Sequence, residues 1–396
     1  MRGRARLTYG AAVNFDLTAE QELLRRTVRE FAEHEIAPRA AELDRNEEFS
    51  CELTRAMGEL GLFGMTVAPE YGGHGLDYLS YIIAVEEIAR VDGSHAATVA
   101  AENSLGIGPI YYFGSEAQKR RYLPDLCRGT HLWGFGLTEP SAGSDAGGTK
   151  TTARLEGDRW VINGSKIFIT NAGTSITAGS TVQCVTGTLP DGGKEYSCII
   201  VEQESPGFTT RSMHGKMVWR ASNTAELYFD NVTVPRESLL GERGAGFKQM
   251  LETLDSGRLS IAAMGLGGAQ GAYEAALAYA KERQQFGKPI SHFQANAFKL
   301  ADMATEIEAT RNLLYKACWL RDQGRAFRKE AAMAKLWASE VMRRVTHAAV
   351  QIFGGYGLME EYPVARFYRD QRLLEIGEGT SEVQRLVISR LLGCYD

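Results

Sequence analysis

Helices, then short strands, then long helices: the chain reads as a multidomain α+β protein, and three observations predict it. Apolar residues recur at helical spacing through the first third. Between residues 133 and 245, short β-prone runs alternate with turn-rich stretches. From Gly246 onward, apolar stripes run along segments too long for a small domain. The expected division is a disordered extension (1–13), a helical domain (14–132), a compact β domain, barrel or sandwich (133–245), and a C-terminal helical bundle (246–396). At 396 residues and 44% hydrophobic, the chain can fill about two or three ordinary cores.

Taken in order, Thr18-x-x-Gln21 is a capping-box pattern, and Leu24, Val28, Phe31 and Ala32 follow at helical spacing until Pro38, which is expected to stop the helix. Tyr71-Gly-Gly-His-Gly75 reads as a loop, and Ile82, Val85 and Ile88–Ala89 mark an amphipathic helix. Ala96–Leu105 and Glu116–Leu126 continue the helical reading. Thr151–Leu155, Arg159–Asn163 and Lys166–Thr170 read as short strands, with Asn163-Gly164 as a hairpin turn between the last two. Thr181–Thr186, Tyr196–Glu202 and Ala225–Val234 add further strands. In the last third, Leu300, Met303, Ile307 and Leu314 form one apolar face, the mark of a bundle helix.

Composition excludes several function classes. The net charge is −5 with both signs interspersed, which argues against a nucleic-acid footprint. Six scattered cysteines form no C-x-x-C pair, so a reducing, cytoplasmic setting is the default. Seven histidines show no metal-binding spacing, and no apolar run is long enough to span a bilayer. The basic start, Met1-Arg-Gly-Arg-Ala-Arg6, has no apolar stretch behind it and does not read as a secretory signal. Gly265, Gly267, Gly268 and Gly271 lack both the G-x-G-x-x-G spacing and a preceding strand. Small residues letting two helices approach explain them better than a dinucleotide site.

Four segments carry chemistry. Glu378 stands between glycines in Ile376-Gly-Glu-Gly-Thr-Ser-Glu-Val-Gln384, so it can approach a ligand closely; in apolar surroundings its pKa would rise and suit it to remove a weakly acidic C–H proton. That segment alone also allows Glu378 to cap a helix starting near Thr380. The others are Leu137-Thr-Glu-Pro-Ser-Ala-Gly-Ser-Asp145, Arg283-Gln-Gln-Phe-Gly-Lys-Pro-Ile290 with Gln294, and Gln351-Ile-Phe-Gly-Gly-Tyr-Gly357. In order and spacing these segments resemble the signatures of the acyl-CoA dehydrogenase family of flavoproteins, its short- and medium-chain branch, over about Phe15 to Leu392.

The resemblance implies that family's fold, a helical domain, a β domain and a four-helix bundle, with FAD as cofactor and an acyl-CoA as substrate. Phe135, Leu137 and Thr138 would line the flavin ring, and Phe168 and Thr170 would take the other flavin-side positions, Phe168 where many relatives carry Trp. Arg283 would bind the pyrophosphate. Gln285, Phe286, Gln294, Gln351, Gly354 and Gly355 would surround the ADP part of a neighbouring subunit's FAD, which makes a homotetramer part of the site. Thr380 and Glu382 would help hold the pyrophosphate and ribose. Ser144, Asp255, Arg258 and Gly379 would contact the substrate. The position that carries the base in other branches corresponds to Gly257, which leaves Glu378 as the base.

The implied reaction is α,β-dehydrogenation to a trans-2-enoyl-CoA. Glu378 would take the α-proton and a hydride would pass to flavin N5, with an electron-transfer flavoprotein as acceptor. A flavin oxidase and a non-catalytic flavin-binding member of the same scaffold are the alternatives. Gly377 stands where relatives acting on straight chains commonly have Tyr, so open space is expected beside the Cα–Cβ bond, with tolerance for branched acyl groups.

Overall fold

The computed structural model describes residues 16–395; the extension 1–13 lies outside the described residues. Helix α1 (Ala19–Phe31) opens with the capping box: Gln21 N donates to Thr18 Oγ1 at 3.2 Å, and Thr18 N donates to Gln21 Oε1 at 3.0 Å. Pro38 does not end the helical run. It falls in the first turn of α2 (Ala37–Asn46), where its missing N–H costs little, and a wide π-turn over Ala32–Ile36 takes up the backbone ahead of it.

Next come α3 (Cys51–Glu59), α4 (Tyr78–Ala89), α5 (Gly93–Ala101), a π-turn over Glu102–Ile107, α6 (Gly108–Phe113) and α7 (Glu116–Cys127). The amphipathic reading of α4 fails, because every residue of it but Leu79 is buried. Its two glutamates are tolerable there only because both are paired. Arg29 donates twice to Glu87 at 2.8 Å, and Arg311 and Tyr315 hold Glu86.

The β domain holds β1 (Leu132–Gly136), β2 (Thr152–Glu156), β3 (Arg159–Thr170), β4 (Thr177–Thr188), β5 (Lys194–Glu202), β6 (Phe208–Ser212), β7 (Thr224–Pro235) and β8 (Leu239–Leu240). They join in the order β6-β7-β3-β2-β4-β5-β8, with β1 parallel to β4. Trp160, Val182, Val201, Phe208 and Phe229 share one core, so the sheet curls round its own interior. Asn163-Gly164 is not a hairpin turn. Strand β3 runs straight through it, paired with β7, and the register slips at Gly164, whose φ is 144°. A side chain there would strike Thr151, so the glycine makes a bulge. The hairpin lies earlier, at Gly157-Asp158 between β2 and β3.

The C-terminal domain comprises α8 (Gly246–Glu282), a small hairpin of β9 (Gln284–Gln285) and β10 (Lys288–Pro289), α9 (Gln294–Asp322), α10 (Arg328–Phe353), α11 (Pro363–Leu374) and α12 (Ser381–Leu391). The stripe Leu300, Met303, Ile307 and Leu314 is buried on α9. The α8 glycines are contact points: Cβ atoms at Gly267 and Gly271 would strike the Glu86 and Arg90 carbonyls beside α4, and one at Gly265 would come 3.0 Å from the Ala338 carbonyl of α10. This central helix thus sits unusually close to both neighbours.

Candidate active site

Glu378 lies in the turn between α11 and α12. Thr380, not Glu378, caps α12: Val383 N donates to the Thr380 hydroxyl at 3.2 Å. The carboxylate is therefore free for another task. It lies against α8, where a Cβ added to Gly257 would collide with Glu378 Oε2. Positions 257 and 378 thus meet in space, and any side chain at 257 would push the Glu378 carboxylate from where it lies. The residue as a whole is half-buried, yet Oε2 is shut off from solvent and has no hydrogen-bond partner. Desolvation pushes its pKa up to about 7, with the Lys335 and Arg258 charges pulling the other way.

The backbone matters as much. Glu378 has φ 51° and Gly379 φ 91°, both left-handed. Among the described residues the Glu378 amide has no hydrogen-bond acceptor, so it is available to a ligand. Arg258 is buried one residue after Gly257 and paired with Asp255, which Arg328 also holds at 2.5 Å. From α4, Tyr81 faces the same space, its hydroxyl donating to the Ala100 carbonyl at 2.9 Å. Ser256 faces a nearly filled gap of ≈ 10 Å³ lined also by Tyr78, Tyr81, Ser104, Tyr112 and Arg321.

A second group sits on the β domain. Phe135 and Leu137 are buried at the end of β1, while Phe168 holds φ 62° and is 63% exposed, an aromatic ring turned outward from β3. The amide and hydroxyl of Thr138 and the hydroxyl of Thr170 have no partner among the described residues. Unspent donors beside an exposed ring fit the polar edge and face of a flavin. Sequence reasoning missed what braces this shelf. Buried Lys166 donates to the Leu137 carbonyl at 3.1 Å and to Glu139 at 2.8 Å, and Glu139 also accepts the Lys150 and Thr151 amides. Ser144 is exposed on the following loop.

The third group lines a cleft of ≈ 730 Å³ at the far end of the bundle: Arg283, Gln285, Phe286, Gln351, Gly354 and Gly355, together with Tyr279, Phe293 and Tyr356. Gln294 is not in its wall; it starts α9 beside it. Phe286 is 92% exposed with φ 51° at the hairpin tip. Gly354, at φ 62°, also caps α10. Glu382 is exposed in the first turn of α12, where its own backbone amide and then the Thr380 hydroxyl hold its pKa below the usual range. Glu378, Gly257, Arg258 and Lys335 are not among the described residues that line this cleft.

A Cβ at Gly377 would lie 2.9 Å from Leu373 Cδ2, the flexible end of that side chain, so a larger residue there meets Leu373 first.

Sequence models of the acyl-CoA dehydrogenase N-terminal, middle and C-terminal domains match residues 18–130, 134–232 and 244–393 in turn. The chain belongs to the acyl-CoA dehydrogenase family. It is 54% identical over 380 residues to the probable acyl-CoA dehydrogenase YngJ of Bacillus subtilis, covering 96% of this chain and 100% of that one. It is 48% identical to the short-chain specific acyl-CoA dehydrogenase of Clostridium acetobutylicum, covering 95% and 99%. Butyryl-CoA dehydrogenase from Megasphaera elsdenii superposes with a TM-score of 0.92 at 45% identity, covering 96% and 100%. A chain from a structure described as the electron transferring flavoprotein of Acidaminococcus fermentans superposes with a TM-score of 0.93 at 47% identity, covering 96% and 99%. The protein is an FAD-dependent acyl-CoA dehydrogenase, an oxidoreductase acting on acyl-CoA thioesters. Among the described residues, no helix is long and apolar enough to cross a membrane and no group of side chains could hold a metal ion.

Proposed function

We propose that Glu378 is the base of a short-chain acyl-CoA dehydrogenation that yields a trans-2-enoyl-CoA. The observation that carries this is the desolvated carboxylate oxygen over Gly257, unpaired and with a pKa near neutrality. A base poised there takes a proton without first losing a hydration shell. The free Glu378 amide donates to the thioester carbonyl, stabilising the negative charge that develops as the α-proton moves to the carboxylate. The buried Arg258–Asp255 pair borders this pocket from α8. When bound, FAD supplies the acceptor for the hydride leaving the β-carbon. Phe135, Leu137, Thr138, Phe168 and Thr170 hold its ring system.

The short acyl chain is supported by the short-chain and butyryl-CoA relatives. Arg283, Gln285, Phe286, Gln351, Gly354 and Gly355 serve the ADP part of a neighbour's FAD, and the protein works as a homotetramer in the cytoplasm, where its six free cysteines stay reduced. An electron-transferring flavoprotein accepts the electrons. The test is anaerobic titration with butyryl-CoA: the wild type bleaches its flavin, and Glu378→Gln keeps FAD but loses about 10²–10⁴-fold or more in turnover. Near wild-type turnover in that variant sinks the assignment.

A further inference from the structure

One face of α10 carries the turn that bears the base. Lys335, Ser339 and Arg343 lie four residues apart, so they share a face. Each grips the turn at a different point. Lys335 Nζ donates to the Gly379 carbonyl at 2.6 Å, Ser339 Oγ shares its one proton between the Leu374 carbonyl at 2.9 Å and the Lys335 carbonyl at 2.7 Å, and Arg343 Nε donates to the Glu375 carboxylate at 3.0 Å. From α12, Gln384 Nε2 donates to the Glu378 and Gly379 carbonyls at 3.2 and 3.0 Å. A non-glycine residue held at φ 51° is strained, and these bonds are what over-determine it.

Lys335 differs from the others in charge and burial. Its side chain is fully buried, and among the described residues its one side-chain hydrogen bond goes to a neutral carbonyl and it makes no ion pair. The charged and titratable groups around Glu378 are Lys335 from α10, Arg258 from α8 and Tyr81 from α4; Glu375 and Glu382 lie farther out and act on Lys335. Arg258 spends its charge on Asp255 in direct contact. Lys335 is the uncommitted cation.

We propose that Lys335 is a positioning residue for the dehydrogenation: it pins the Gly379 carbonyl so that Glu378 stays over Gly257, and its ammonium is the counter-charge that lets that carboxylate ionise in a dry pocket. Burial brings the Lys335 pKa down to about 8 and pushes that of Glu378 up to about 7, while the charge of each favours ionisation of the other. The inference rests on Glu378 being the base.

The experiment compares Lys335→Met, Lys335→Gln and Lys335→Arg as purified FAD-bound proteins. It reads kcat/KM for butyryl-CoA against pH, and independently titrates the Glu378 carboxylate band by infrared difference against Glu378→Gln. Loss of the cation raises the base's pKa, so in Met and Gln the acid limb and the band midpoint move up by about one unit or more. That is a loss of about tenfold below the limb, recovered at alkaline pH. Gln keeps an N–H for the Gly379 carbonyl and guards against a Met variant that fails to fold. Arg restores the limb toward wild type, while Ser339→Ala, which loosens the same turn without touching charge, lowers the rate and leaves the limb in place. An unmoved limb and band in either charge-free variant that retains FAD overturns the proposal, whereas an active Glu378→Gln would overturn the assignment of the base instead.

Discussion

The Glu378 pocket and the Arg283–Phe286 cleft are built on opposite terms. The pocket is finished within one chain: its carboxylate is wedged on Gly257, its backbone is gripped by Lys335 and Gln384, and its arginine is paired. The cleft is open, with a phenylalanine 92% exposed at a strained hairpin tip and an arginine whose recorded ring contact is Tyr356, 5.6 Å away. Exposed apolar groups around a concave surface mark a place awaiting a partner. If the cleft serves a neighbour's FAD as proposed, chemistry and cofactor retention are separable here, one intramolecular and the other dependent on assembly.

The sharpest way to break that comparison is Gly257→Ala. The new methyl displaces the carboxylate, and a misplacement of this size costs about 10²-fold in kcat while FAD content and assembly stay as in wild type, measured by absorbance and sedimentation. Loss of FAD alongside activity would show that the pocket and cleft are not independent. Arg283→Ala should do the reverse, lowering FAD occupancy and thermal stability while leaving kcat per bound flavin near wild type. A ligand at about 100 times its Kd contributes about 2.7 kcal/mol, which is the scale of stability at risk.

A third test uses the buried side's acidity. Glu102 is fully buried behind Trp133, and desolvation raises its pKa from 4.5 to about 8. A raised carboxyl contributes stability that is fully present below the unfolded value and is lost as pH rises through the folded one. Glu102→Gln should therefore raise the melting temperature relative to wild type at about pH 9 and not at about pH 4. Equal effects at both would mean that Glu102 does not titrate in this range. The smallest effect belongs to Gly377→Ala, which meets only the flexible end of Leu373 and should change kcat/KM for butyryl-CoA less than about threefold.

Local chemistry was legible in the sequence wherever neighbours along the chain decide it. The Thr18–Gln21 capping box and the glycine flanks of Glu378 are such cases. Asn163-Gly164 misled because the turn signal is local, whereas the strand that overrides it bonds Asn163 to Asn231, 68 residues away. Pro38 misled in the same manner, since a π-turn gave the helix a way past it. Lys335 was invisible: it stands 44 residues from the carbonyl it holds, on another helix, in an otherwise ordinary helical segment. The Lys166–Glu139 brace hides likewise, because its two partners stand 27 residues apart. That Arg283, Gln285, Phe286, Gln351, Gly354 and Gly355 line one cleft follows the family resemblance, because nothing local in the sequence brings these distant segments together.

The glycines of α8 carry a consequence for anyone engineering this protein. Replacing a helical glycine with alanine is a routine route to a more heat-resistant variant, gaining about 1 kcal/mol where the position is free. At Gly267 and Gly271 the added methyl would run into main-chain oxygens that have nowhere to retreat, and the gain would turn into a loss. Consensus redesign of this helix should pass over these two positions and spend its substitutions on exposed turns.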